Sequence, residues 1–113
     1  MDRVRRYREI IHRLMAEYQQ LYAAQPDGGV DTAIISDDPH GEYLLMRVGW
    51  RGETRVRRPL FYLRLKEGKI WIEEDWTQEG IATELVAAGV PHEAIVLAFQ
   101  PPELRSLTEF AAT

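Results

Sequence analysis

The stretch from Lys69 to Phe99, KIWIEEDWTQEGIATELVAAGVPHEAIVLAF, leaves this chain little choice of fold. Ile70 and Ile72 alternate with Trp71 ahead of Glu73, Glu74 and Asp75, the pattern of a half-buried strand over Lys69 to Asp75. A helix is expected at once. Thr77 suits its N-cap, because the hydroxyl can accept from a free backbone N–H, and Glu79 puts negative charge into the first turn. Ile81, Leu85 and Val86 form the buried stripe, and Gly89 supplies a left-handed stop before Val90 and Pro91. Pro91 to Ile95 then reads as a single helical turn and Ile95 to Phe99 as a short buried strand. Strand, helix, turn and strand follow with almost no slack, so they must pack as one unit.

Upstream, residues 2 to 23 repeat Val4, Tyr7, Ile11, Leu14, Tyr18 and Leu21 at three- and four-residue intervals, with Ile10, Met15 and Tyr22 widening the stripe of a long amphipathic helix. Arg3, Arg5, Arg6 and Arg8 crowd its start, where the helix dipole disfavours cations. They read either as a solubilising surface or as a contact for an acidic partner or DNA. Pro26 to Gly29 ends the helix, Asp31 to Ser36 is a short strand, and Asp37 to Gly41 is a loop. Asp37 and Asp38 fit side-chain-capped turns better than a cation site, which needs more oxygens at defined spacing.

Two further strands, Tyr43 to Trp50 and Thr54 to Lys66, meet at Gly52-Glu53, and the second turns through Glu67-Gly68 into the strand at Lys69. This is an antiparallel meander. An unbroken register places Trp50 opposite Arg55, Val48 opposite Arg57, Met46 opposite Pro59 and Leu44 opposite Phe61. In the second hairpin Lys66 opposes Lys69, Leu65 opposes Ile70 and Leu63 opposes Ile72. Leu44, Met46, Val48, Phe61, Leu63, Leu65, Ile70 and Ile72 would then floor the helices. Tyr43, Leu45, Arg47, Arg58, Leu60, Tyr62, Arg64 and Trp71 would occupy the opposite face. Two main helices cover only one side of such a sheet, and aromatic residues with arginine are enriched in interfaces. Tyr43, Arg47, Arg58, Tyr62, Arg64 and Trp71 are therefore candidate contacts for a protein partner or a second copy. The alternatives are a C-terminal segment folded across this face, or arginine stems packed over its rings. Beyond it, Pro101-Pro102 leads into a final helical piece with Leu104, Leu107 and Phe110. The expectation is a single α+β domain over residues 1 to 113: a long N-terminal helix and a second helix on one face of a mainly antiparallel meander.

Chemistry is sparse. The absence of cysteine excludes thiolate metal sites and a cysteine nucleophile, and a formal charge of -4 argues against a dedicated nucleic-acid binder. His12, His40 and His92 fall in a helix, a loop and a turn without metal-ligand spacing, and Ser36 and Ser106 lack a nucleophile elbow. No cofactor or metal motif is present. Glu67-Gly-Lys69 imitates the E-x-K of metal-dependent nucleases, but its glycine marks a hairpin turn at the solvent end of the sheet. Glu73 and Asp75 sit at a strand end, where acids are commonly solvated. No run approaches the ~20 apolar residues that span a bilayer, and a cytoplasmic location is expected.

Asp75-Trp-Thr-Gln-Glu-Gly-Ile-Ala82, Glu84-Leu-Val86, Gly89-Val-Pro91, Ile95-Val-Leu-Ala-Phe99, Pro101-Pro-Glu103 and Thr108-Glu-Phe-Ala111 resemble the XisI-like proteins, the fdxN-element excision controlling factors. Tyr7-Arg-Glu-Ile-Ile11 and Leu45-Met-Arg-Val-Gly-Trp50 extend the resemblance over nearly the whole chain, with Ala98 and Gln100 standing where glycine and histidine are expected. The resemblance implies a non-catalytic accessory factor for programmed DNA excision. It would act beside a site-specific recombinase and with an XisH companion of nuclease-like fold. Two other readings stay open: direct DNA binding through Arg3, Arg5, Arg6 and Arg8 with Arg51, Arg55, Arg57 and Arg58, and a nuclease using Glu67 and Lys69.

Overall fold

A computed structural model describes residues 2–25 and 28–113; Pro26 and Asp27 of the expected helix-ending turn lie outside them. Helix α1, Arg3–Ala23, is followed by β1 Val30–Asp37, β2 Glu42–Arg51, β3 Thr54–Lys66 and β4 Lys69–Asp75. Then come α2 Ile81–Ala87, a 3-10 turn at His92–Ala94, β5 Ile95–Leu97 and the short α3 Pro102–Arg105. The five strands form one sheet in sequence order, antiparallel except for β5, which runs parallel to β4 after the α2 crossover. The α+β architecture expected from the sequence is the one observed.

Helix α1 starts at Asp2, whose carboxylate accepts from the N–H groups of Val4 (3.0 Å) and Arg5 (3.3 Å) and so offsets the arginine-rich first turn. Its buried stripe is Tyr7, Ile10, Ile11, Leu14 and Met15, with Val4, Tyr18 and Tyr22 at the margin. Leu21, expected in the stripe, is half exposed. The stripe meets Tyr43, Leu45, Phe61, Leu63, Leu65, Ile70 and Ile72 of the sheet, and Ile81 and Leu85 of α2 close the same core. Each such side chain contributes about 1.5–3 kcal/mol when fully buried.

The hairpin at Glu67-Gly68 has both residues at positive φ, 56° and 73°, the type I′ geometry whose twist matches its strands. Its register is the expected one, Lys66 opposite Lys69 and Leu63 opposite Ile72. The β2–β3 hairpin follows the expected register only from its turn to Met46 opposite Pro59. There β3 carries one extra residue, so Leu45, not Leu44, faces Phe61. Because side chains alternate, that single bulge reverses every side chain of β2 relative to Phe61 and the strand beyond it. Tyr43, Leu45 and Arg47 point into the core, and Leu44, Met46 and Val48 point away, the opposite of the sequence expectation. The bulge falls beside Pro59, which has no N–H and is tolerated inside a sheet at such irregular positions. The Leu60 carbonyl accepts from Trp76 N–H at 2.7 Å, which continues the β3–β4 ladder past Asp75 opposite Phe61.

Helix α2 starts three residues later than expected, with Gly80 rather than Thr77 at the N-cap position. The Asp75 carboxylate caps it: Oδ2 accepts from Ile81 N–H at 2.8 Å, while Oδ1 accepts from the Thr77 N–H (2.9 Å) and hydroxyl (2.6 Å). Glu79 lies outside the helix, and Glu84 supplies the acid of its first turn. At the other end Val90 N–H bonds Leu85 and Gly89 N–H bonds Val86, the paired closure that needs a left-handed residue; Gly89 provides it at φ 108°. Arg6 donates to the Gly89 carbonyl at 3.2 Å, tying the start of α1 to the end of α2. Asp75→Ala removes three hydrogen bonds at the α2 start and should lower stability by about 1–3 kcal/mol, read as a shift of the urea midpoint.

Candidate partner-binding face

Alternation places Ala33 and Ile35 of β1, Leu44, Met46 and Val48 of β2, and Tyr62, Arg64 and Trp71 of β3 and β4 on the sheet face turned away from α1 and α2. Rows cross this face through paired residues: Ile35, Leu44, Tyr62 and Glu74 in one, Ala33, Met46 and Pro59 in the next, and Glu42, Arg64, Trp71 and Val96 in a third.

The face has two halves. Over β4 and β5 the C-terminal segment folds across it. Ala111 pairs with Val96 and donates to the Ile95 carbonyl at 2.8 Å, and Phe110 stacks on His92 with ring centroids 5.3 Å apart. Arg105 donates to the Ala98 and Gln100 carbonyls and lies 5.8 Å from the Trp71 ring centroid, and the Lys66 ammonium lies 4.3 Å from the same centroid. Val96 is thereby fully buried. Over β1, β2 and the adjoining part of β3, no described segment lies on the sheet. Ile35 is 52% exposed, and Ala33, Leu44, Met46, Val48 and Pro59 are partly exposed around it.

Between the halves lies a polar seam. Glu42 accepts from the Tyr62 hydroxyl and from Arg64 Nε at 3.1 Å, and Arg64 reaches Glu73 at 4.0 Å. The bond to Glu42, with burial second, raises the Tyr62 hydroxyl above its ordinary pKa. An apolar field bounded by a hydrogen-bonded, charge-balanced seam suits a protein surface, with a dry centre and a polar rim.

Of the candidate contacts named from sequence, Tyr62, Arg64 and Trp71 lie on this face. Tyr43 and Arg47 do not: the bulge turns both under α1, with Tyr43 fully buried and Arg47 5% exposed. Arg58 pairs with Arg47 and so shares the helix side, though exposed. The open apolar half was missed; Pro59 within a long strand was the available signal, since proline inside a sheet marks an edge or a bulge.

Both buried polar groups have structural partners. The Tyr43 hydroxyl donates to Asp38 Oδ1 at 2.8 Å; His12 Nε2 lies 2.8 Å and Arg8 Nε 3.8 Å from the same oxygen. Burial first, then the Asp38 bond, pushes the Tyr43 hydroxyl up to about 12. The Arg47 guanidinium sits 4.4 Å from the Tyr22 ring centroid and donates to Thr32 Oγ1 at 2.7 Å, at the wall of a cleft of about 430 Å³ between the end of α1 and β1.

The arginines of the DNA reading do not form one patch. Arg3 lies against Gly68, whereas Arg55 and Arg57 flank the opposite hairpin, about 35 Å away along β3. Arg5 pairs with Glu9, Arg6 with the Gly89 carbonyl, Arg8 with Asp38, and Arg55 lies over Trp50. Of the nuclease pair, Glu67 is in the turn and the Lys69 ammonium donates to the Thr113 carbonyl. No group of three potential metal ligands occurs among the described residues, and no described helix is long and apolar enough to cross a membrane.

The sequence profile of a family described as XisI protein matches residues 1–112. The chain belongs to the XisI family. Its fold is similar to the crystal structure of a XisI-like protein from Anabaena variabilis ATCC 29413, with TM-score 0.90 and 34% identity over 97% of this chain and 99% of that one. It is also similar to the fdxN element excision controlling factor XisI from the same organism, with TM-score 0.83 and 39% identity over 99% and 100% of the two chains. A search of curated proteins finds no match.

The Asp38 cluster makes acid stability testable. His12 first and Tyr43 second hold the Asp38 carboxyl below its ordinary value of 3.8. A lowered native pKa means that the carboxylate stabilises the fold above the unfolded value, and that this contribution is lost as pH falls through the native one. Asp38→Asn should therefore flatten the acid limb of stability in denaturant titrations between about pH 2 and pH 6.

Proposed function

We propose that the chain is a non-catalytic accessory factor in the excision of a DNA element, acting by holding a nuclease-like companion of the XisH type. Membership of the XisI family supports the accessory role, together with 39% identity across 99% of the chain to an excision controlling factor. The open apolar half of the outer sheet face supports the protein–protein mode. In this reading Leu44 and Met46 are the dry centre of the contact, and Tyr62, Arg64 and Glu42 are its polar rim. The chain works in the cytoplasm, and DNA is engaged through the companion and the recombinase.

The test is co-purification of the companion with the tagged chain, followed by titration of variants. Leu44→Asp with Met46→Asp should weaken binding by about tenfold or more, which is ~1.4 kcal/mol, with an unchanged thermal midpoint. Leu107→Ala, at a side chain 80% exposed on the tail, should bind as wild type. Undiminished binding by the double variant would remove the proposed surface. Metal-dependent plasmid cleavage by the chain alone, lost in Lys69→Ala, would replace the accessory reading with an enzymatic one.

A further inference from the structure

The sheet has two edges, and the chain treats them differently. At β5 the edge is closed from within, because Ala111 pairs beside Val96 and its N–H bonds the Ile95 carbonyl. At β1 no described strand pairs on the outer side. Between Asp31 and Asp37 the strand contains no charged residue and no proline, the residues that natural edge strands use to discourage pairing.

The backbone parity of this edge is fixed. Trp50 N–H donates to the Gly29 carbonyl at 3.0 Å, so in the β1–β2 ladder residues 31, 33, 35 and 37 bond to β2. Thr32, Ile34 and Ser36 must then turn their N–H and C=O groups outward. An independent contact agrees: Gln19 of α1 donates to the Thr32 carbonyl at 3.0 Å. Helix α1 thus occupies one outward carbonyl and leaves the polar groups of Ile34 and Ser36 to the open edge.

We propose that a second copy of this chain occupies the β1 edge, antiparallel, about a two-fold axis at Ile35. In that register Ile34 opposes Ser36 of the second copy, and both pairs exchange N–H···O bonds, four in all. Ile35 packs against Ile35 of the second copy, covering a side chain otherwise 52% exposed. Asp37 opposes Ala33. Moving the axis to Ile34 would instead set Asp31 against Asp37 and require the Thr32 carbonyl that Gln19 holds. Charge and hydrogen bonding therefore select the Ile35 register. The occupant is a second copy because an antiparallel strand is its own complement under a two-fold, which also closes the assembly at two. The α1 flank bordering this edge, marked by His12 above Asp38 and Gln19 above Thr32, also carries exposed Ala16 and Ala23, small enough for a second α1 to approach. Dimerisation would join two outer faces into one ten-stranded surface.

The full chain alone decides this, so failure here is separate from failure to bind a companion. Sedimentation velocity should give twice 13.1 kDa, and Ile35→Lys and Ser36→Pro should each give 13.1 kDa with wild-type circular dichroism. Ser36→Pro deletes an N–H that has no intramolecular strand partner, and proline is tolerated at such edge positions. Amide exchange at Ile34 and Ser36 should slow as protein concentration rises. A single 13.1 kDa species up to about 100 µM, or a dimer unchanged by both substitutions, would overturn the proposal. So would β1 protection that appears only when another protein is added.

Discussion

One extra residue in β3, where the pairing passes from Met46 opposite Pro59 to Leu45 opposite Phe61, is the constraint on which the two faces of this sheet depend, and the 2.7 Å bond from Trp76 N–H to the Leu60 carbonyl holds that residue to β4. Pro59, which has no donor, sits at the irregularity, and Leu60 is the extra residue. The consequence is not local. With Leu45 rather than Leu44 opposite Phe61, the core receives Tyr43 and Arg47, and both bring polar groups that must find partners under α1. Asp38, His12 and Arg8 answer the tyrosine, while Tyr22 and Thr32 answer the arginine. The contacts that pin α1 along β1 and the following turn thus follow from one inserted residue in β3.

Closure of the helices relies on a few long-range polar contacts added to apolar packing. Asp75 caps α2 from the end of β4, and Arg6 reaches from the first turn of α1 to the Gly89 carbonyl. These contacts give the arginine-rich helix start intramolecular work, as does Arg8 on Asp38. A cluster that reads from sequence as a basic arm is largely a set of struts, separated from the hairpin arginines by most of the length of β3.

The C-terminal segment covers one half of the outer face and not the other. The last ten residues bury Val96 and pack on Trp71, but they leave the β1 and β2 half of the outer face uncovered. The fold itself is shared with the two Anabaena variabilis proteins, at TM-scores of 0.90 and 0.83. An accessory factor built this way would act through surface rather than through an assembled cleft.

Local pattern carried much of the architecture. The 3.6-residue period of α1, the alternation at Ile70 and Ile72, the Glu67-Gly68 turn and the glycine stop at Gly89 each depend on neighbours close in sequence, so each was legible there. The family resemblance was legible for the same reason, in runs such as Asp75 to Ala82. The α2 cap was not, because Asp75 acts from six residues before Ile81 while Thr77, the expected cap, bonds to it instead. Nor was the facing of β2: an alternating strand states only that two faces differ, and a register shift of one residue exchanges them. Sequence by itself therefore determined the elements, their order and the family, whereas which side of β2 meets water was decided only by the one-residue shift in how β3 pairs with it.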